Sequence, residues 1–495
     1  MMGKLFWILM FIPFTSYSQG ENSTWLMGSA SNQAVFKGRI TFDSTTYIYN
    51  KEFRKMPFSG TEATISDRNG NFLMSSNGVW IANATNDTML NGGGLNPGTG
   101  VNSNPNGLMF PYANVFLPFP GDTNKYVLFH HTAVSNGVSY PVYELLYSLV
   151  DITLDNGLGG VISKNDTALK DTLNWGIGAC KHANGRDWWV VMQKDKSDDV
   201  ISLLLTPLGI THVTSQKLNV PAAYYNVSNL VFSRNGEMFS YYRFDTTTHA
   251  STVQLLNFDR CNGVFSNPRV IPMTTSSYLW GLSFSPNDQY LYANTSGLVF
   301  QINVNTLQVD TVATYDGYCY QYNPNVSLCT TFFNQYLAAN GKIYITSGGS
   351  VQHIHEMNYP DSAGVACDLQ QHAIFLDMFN FRAVPNHPNY HLGPVIGSIC
   401  DSLSVGQEEY YSQIQNFQIS PNPLKDGPLQ IMYLLPQNLP GLFEVYDLNG
   451  KIIYQQKLPP WSSMQSINLP NLRAGLYSCV IRSGGSVVSR KLLKM

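Results

Sequence analysis

The dipeptide Asn-Gly occurs eleven times in 495 residues, and it constrains the fold more than any other feature of the chain. Asn-Gly suits a type I′ turn, whose two central residues need positive φ. Between alternating apolar residues it marks a β-hairpin. Asn69-Gly70, Asn184-Gly185, Asn235-Gly236, Asn340-Gly341 and Asn449-Gly450 are examples. Around these turns lie short runs rich in Val, Ile, Tyr, Phe and Thr, such as Tyr126-Val127-Leu128-Phe129 and Trp188-Trp189-Val190-Val191-Met192. Long stretches of 3.6-residue periodicity are scarce, so the chain is predicted to be all-β.

A repeat follows from the same turns. Leu230-Val231-Phe232-Ser233-Arg234-Asn235-Gly236 returns as Leu282-Ser283-Phe284-Ser285-Pro286-Asn287-Asp288, with its central phenylalanines at 232 and 284. Weaker relatives surround Asn69-Gly70, Asn184-Gly185 and Asn340-Gly341. A period of roughly 40–50 residues with several strands per unit predicts a β-propeller, in which each sheet is covered only by its neighbours. Residues 25–403 have room for about seven units, with six or eight as the other readings.

The Phe284-Ser285-Pro286-Asn287-Asp288 unit is similar to the Ser-Pro-Asp-Gly repeats of WD-like exported bacterial propellers. Four longer strings resemble a family of secreted propeller-like proteins. They are Leu146-Tyr147-Ser148-Leu149-Val150-Asp151, Lys181-His182-Ala183-Asn184-Gly185-Arg186-Asp187-Trp188-Trp189, Phe258-Asp259-Arg260-Cys261-Asn262-Gly263, and Asn389-Tyr390-His391-Leu392-Gly393-Pro394 with Gly397-Ser398-Ile399-Cys400-Asp401. This resemblance implies a fold and a compartment, and no activity.

The C-terminal stretch 417–495 contains Ile419-Ser420-Pro421-Asn422-Pro423, Phe443-Glu444-Val445-Tyr446-Asp447-Leu448-Asn449-Gly450-Lys451 and Leu472-Arg473-Ala474-Gly475-Leu476-Tyr477. In that order they resemble the type A sorting domain of the type IX secretion system of Gram-negative bacteria. The resemblance implies a small Ig-like β-sandwich that docks on the outer-membrane translocon and is cleaved during export. Polar residues 404–416 read as a linker.

The other end carries a second address. Lys4 precedes the apolar run Leu5 to Phe14, which is too short to span a bilayer core of about 30 Å. Residues 1–18 are therefore expected to be a signal peptide, cleaved between Ser18 and Gln19. No other stretch is long and apolar enough for a membrane span. Net charge is −3 without a basic stripe, which argues against nucleic-acid partners.

Seven cysteines in an exported chain permit disulfides and leave at least one unpaired within the chain. Cys319 and Cys329, flanking a Tyr/Asn/Pro-rich loop, are the expected pair, with two buried thiols as the other reading. Cys367 with Cys400 is a weaker pairing. His353 and His355 share a strand face but lack a third ligand at a recognisable spacing. His387 and His391 read as loop residues, and adjacent His130 and His131 would point to opposite strand faces. Asp151-Ile152-Thr153-Leu154-Asp155-Asn156-Gly157 reads as a hairpin tip, not a calcium loop. Trp80 lies too far past Gly70 for a sialidase Asp-box. No nucleophile elbow or phosphate loop is present, so no catalytic residue, metal or cofactor is assigned. The expected function is an extracellular or cell-surface binding protein whose ligand is a glycan or a protein, with the site on the axial face. The alternative is a hydrolase or lyase acting on polysaccharide through convergent carboxylates.

Overall fold

A computed structural model of the chain describes residues 20–28, 35–134, 140–221, 229–401, 415–435, 440–459, 464–483 and 486–495. The expected signal peptide with its Ser18/Gln19 cleavage point, and most of the 404–416 linker, lie outside the described residues. Two compact units divide the chain at Asp401 and Ser402.

The first unit is a sequence of small antiparallel sheets. Blade 1 (24–54) has three strands, and blades 2 (63–93), 3 (114–173), 4 (178–217), 5 (231–272), 6 (281–314) and 7 (332–381) have four each. Blades 2 and 3 join into one eight-stranded sheet through a parallel pairing of Leu90 with Gly160. Apolar side chains bind each blade to the next. One cluster runs through blades 2, 3 and 4, including Met74, Val115 and Trp188. Others join blades 4 and 5, 5 and 6, and 6 and 7. Leu26 and Ala82 link blade 1 to blade 2. The ring closes where Trp25 and Phe42 of blade 1 pack on Tyr344 of blade 7, with centroids 5.7 and 5.3 Å away. This is a seven-bladed propeller, because every sheet face is covered by a neighbour and no end sheet is left bare.

The repeat seen in the sequence is the hairpin between the first and second strands of blades 2, 4, 5, 6 and 7. Its turn is not type I′. In 67–71 the Gly70 N–H donates to the Asp67 carbonyl and the Asp67 N–H to the Asn71 carbonyl. Gly70 alone has positive φ, at 84°, and Asn69 does not. The tail repeats this arrangement at 447–451, with Gly450 at 78°. This is a type I turn closed by a left-handed bulge residue. The cause lies two residues before the Asn. The Asp67 and Asp447 carboxylates each accept the N–H of the following Asn69 or Asn449, which holds that Asn in a right-handed turn. Asp288 takes the glycine's place in blade 6, at φ 61°. Its carboxylate accepts the Arg234 and Asn235 N–H groups, stapling the blade 6 turn to that of blade 5.

The second unit is a two-layer β-sandwich. One sheet holds Gln415–Ser420, Leu429–Leu434 and Met464–Ile467. The other holds Ile452–Leu458, Gly441–Tyr446, Gly475–Ser483 and Ser486–Lys494. Phe417, Leu429, Ile431, Phe443, Val445, Cys479, Ile481 and Leu492 fill the space between them.

Candidate functional site

A propeller offers its axis as the natural site, and here the chain fills that axis itself. Beyond blade 7, residues 383–390 turn inward and bond at or beside the first strands of other blades, and residues 391–401 return to the surface. The His387 Nε2 donates to the Thr64 carbonyl of blade 2 at 2.8 Å. The Tyr390 hydroxyl donates to the Phe116 carbonyl of blade 3 at 2.9 Å. Asn386 Nδ2 donates to the Ile177 carbonyl ahead of blade 4, and Asn389 Nδ2 to the Arg234 carbonyl after the first strand of blade 5. From blade 7, the Tyr336 hydroxyl donates to the His387 carbonyl. Asn386, His387 and Tyr390 are buried by this arrangement.

Three of the four strings that resemble secreted propellers meet at the end of this plug, and the fourth lies in the blade 3 strand Val142–Asp151. Arg260 is buried, and its guanidinium donates to the carbonyls of Lys181, His182 and Gly393 at 2.9, 3.2 and 2.6 Å. The Trp189 indole donates to the Arg260 carbonyl, and His182 Nε2 to that of Cys261. The Val395 N–H reaches the Ala183 carbonyl. Cys261 and Cys400 are joined in a disulfide across a separation of 139 residues. These contacts make the three strings a latch.

The expected pair of Cys367 with Cys400 does not form, because Cys400 is bonded to Cys261. Cys367 is buried between blades 6 and 7, ending a short 3-10 turn. What space the plug leaves is a cavity of about 90 Å³ beside Cys180, Phe232, Phe284, Tyr336, His387 and Leu392. Drug-sized ligands occupy pockets of roughly 300–1,000 Å³, so this one suits a few water molecules. Its lining residues include Arg234 and His387 and no carboxylate.

The histidines separate into two kinds. His130 sits between Asn96 and Ser148, and His131 reaches the Trp175 carbonyl. Burial pushes His130 down to about 3, and His131, His355 and His387 each to about 4. In the unfolded chain these imidazoles titrate near 6.5. Between about pH 4 and 6.5 the unfolded chain therefore binds protons that the folded one refuses. Stability is expected to be full above 6.5 and to fall on acidification, by about 1.4 kcal/mol per pH unit for each of these histidines. Denaturant titrations at pH 7.5 and pH 5 check this, and equal midpoints would contradict it. His391 instead pairs with Glu21 at 2.5 Å, bringing the two ends of the propeller together.

His353 and His355 do share a strand, Ser350–Met357, and the fold adds neighbours that their spacing could not show. His372 N–H donates to His355 Nδ1, and His372 Nε2 lies 2.9 Å from Asp316. Burial and His372 hold the His353 imidazole below its ordinary value. No metal-holding cluster occurs among the described residues. Asp151 caps a hairpin tip by accepting the N–H and hydroxyl of Thr153.

Beside these histidines an extra hairpin, Cys319–Asn323 with Val326–Cys329, stands between blades 6 and 7. Cys319 and Cys329 are directly opposed across it and bonded at 2.02 Å. Its residues are solvent-facing, with Tyr318 39%, Tyr320 43% and Tyr322 57% exposed. Tyr318 stacks on His372 at 4.3 Å, Tyr322 meets Phe379 at 5.8 Å, and Phe375 (56% exposed) lies 5.3 Å from His353. The Cys-flanked Tyr loop was legible in the sequence. His372 and Phe375 were not, since only the fold brings the outer strand of blade 7 there.

Comparison with known proteins decides the second unit. The family described as the secretion system C-terminal sorting domain matches residues 418–495. The tail is a type IX sorting domain. The chain is exported by that system to the cell surface or the extracellular space. No helix among the described residues is long and apolar enough to cross a membrane. No curated protein matches the chain. Among solved structures it is similar to a putative 6-phosphogluconolactonase from Bacteroides uniformis, at 13% identity, over 72% of this chain and 97% of that one, with TM-score 0.42. It is similar also to the extracellular domain of a putative hybrid two component system from B. thetaiotaomicron, at 12% identity, over 96% and 55%, with TM-score 0.37. A hypothetical selenium-binding protein from Sulfolobus tokodaii gives 8% identity over 94% of both chains, with TM-score 0.38.

Proposed function

We propose that the exported propeller is a binding protein that engages its ligand at the rim, around the Tyr318–Tyr322 hairpin, and not through its axis. The observation that carries this reading is the plug. With residues 383–390 in the channel, a ligand cannot enter the space where propeller enzymes would gather acid groups, and the remaining cavity has no carboxylate in its lining. A hydrolase acting through paired carboxylates needs both groups within about 10 Å of each other in an open cleft. The rigid, solvent-facing aromatic hairpin supports binding, since Tyr supplies contact area at low entropic cost. In this reading the sorting domain docks on the outer-membrane translocon and is removed, as is the signal peptide at Ser18/Gln19.

The test combines a glycan array and a surface-protein array with a panel of polysaccharide substrates, all probed with the secreted protein. Retention on an array without product release is expected. Catalytic release of reducing ends would overturn the reading.

A further inference from the structure

The hairpin between blades 6 and 7 has the chemistry of one ligand class. From Gly317 to Thr330 the chain has no Asp, Glu, Lys or Arg, but has Tyr318, Tyr320, Tyr322, Gln321, Asn323 and Asn325. Two carboxylates beside it are already engaged. Asp316 pairs with His372, and Asp377 pairs with Lys51 and accepts the Tyr49 hydroxyl. An anionic polymer would therefore meet these two carboxylates and a hairpin without a cation, whereas an uncharged polymer would meet no opposing charge.

Tyr318 and Phe375 both meet His353, at 5.4 and 5.3 Å. Tyr318 lies against His372, Phe375 against His353, and Tyr322 against Phe379, and each of these contacts leaves ring surface in solvent. The electron-rich face of an aromatic ring attracts polarised C–H groups, which a pyranose presents along one side. Amides at the hairpin supply donors and acceptors for hydroxyls. The geometry is fixed in advance. The disulfide closes the hairpin, Ser327 Oγ donates to Gln321 at 2.7 Å, and the Asn325 N–H donates to Asn323 Oδ1 at 2.9 Å. Little ordering would remain to oppose binding.

We infer that Tyr318, Tyr320, Tyr322 and Phe375 form a stacking platform for an uncharged polysaccharide chain. This inference rests on the reading of the propeller as a binding protein. Affinity electrophoresis of the secreted protein through gels containing β-glucan, xylan or mannan, and through gels containing alginate or polygalacturonate, tests it. Retardation by at least one neutral polymer and by neither anionic one is expected. The variant Y320A/Y322A/F375A should bind about tenfold more weakly or worse. Its melting temperature should be unchanged, because the removed rings are exposed. Tyr143→Ala, an exposed aromatic on blade 3, should keep full affinity.

Undiminished affinity in the triple variant would overturn the platform. So would retention by anionic polymers alone, by a surface protein alone, or by nothing. New reducing ends in the polymer would instead overturn the binding reading on which the platform rests.

Discussion

Deleting residues 418–495 should abolish export and leave the propeller in the periplasm. The prediction follows from the sorting role of the tail. The sandwich has its own core around Phe443 and Ile481, and the propeller is closed by contacts made within residues 20–401. Removing the tail should therefore leave the propeller's own core intact, and the retained protein should be folded and protease-resistant. Fractionation followed by limited proteolysis reads both points. Normal appearance of the truncated chain outside the cell would refute the sorting role, and a degraded periplasmic product would refute the independence of the propeller. A sharper version spares the chain length. Phe443→Asp places an uncompensated charge in the sandwich core, which costs several kcal/mol, and it should block export as the deletion does.

Replacing Cys261 and Cys400 together by serine should lower the stability of the propeller by about 3–5 kcal/mol, the cost of freeing a loop of this length in the unfolded chain. The same change in Cys319 and Cys329 should cost about 2–3 kcal/mol at most, because that loop is short. The order of the two effects is the informative part. Urea titrations of the two double variants would show it, and a smaller effect at Cys261/Cys400 would mean that Arg260 and its carbonyl partners hold the plug unaided. Amide exchange offers a second reading. With the long-range bond removed, the Val395 N–H on Ala183 should lose protection before the blade strands do.

The propeller was legible because five of its blades turn the first hairpin with similar residues. Blades 2, 4, 5, 6 and 7 announce themselves through Asp67, Asn184, Asn235, Asn287 and Asn340. Blade 3 does not, since it turns through Pro120-Gly121-Asp122, and blade 1 has only three strands. The turn geometry was misread for a local reason. Asn-Gly by itself offers positive φ to both residues, as Asn156 and Gly157 show, while at Asn69 and Asn449 the Asp two positions earlier reserves it for the glycine. The plug was illegible for a long-range reason. Residues 383–401 have no alternation, and their partners lie up to 323 positions away, so Asn386 and His387 read as ordinary loop residues. The axial site that the propeller expectation carried is therefore occupied by the chain itself. The aromatic hairpin was half legible. Its tyrosines and cysteines are adjacent in sequence, but His372 and Phe375, which turn it into a surface, arrive from the outer strand of blade 7.

The pairing of Glu21 with His391, and of Trp25 with Tyr344, sets the order in which this protein can mature. Its first residues find their partners only after the last blade and the plug exist. A chain still being made, or still threading out of the inner membrane, has an open arc of sheets with two uncovered ends. Pairing over more than three hundred residues is slow, and its intermediates expose strand edges. The Cys261–Cys400 bond needs the chain beyond blade 7 to have returned to blade 5, so its presence in exported material would report that the plug had seated.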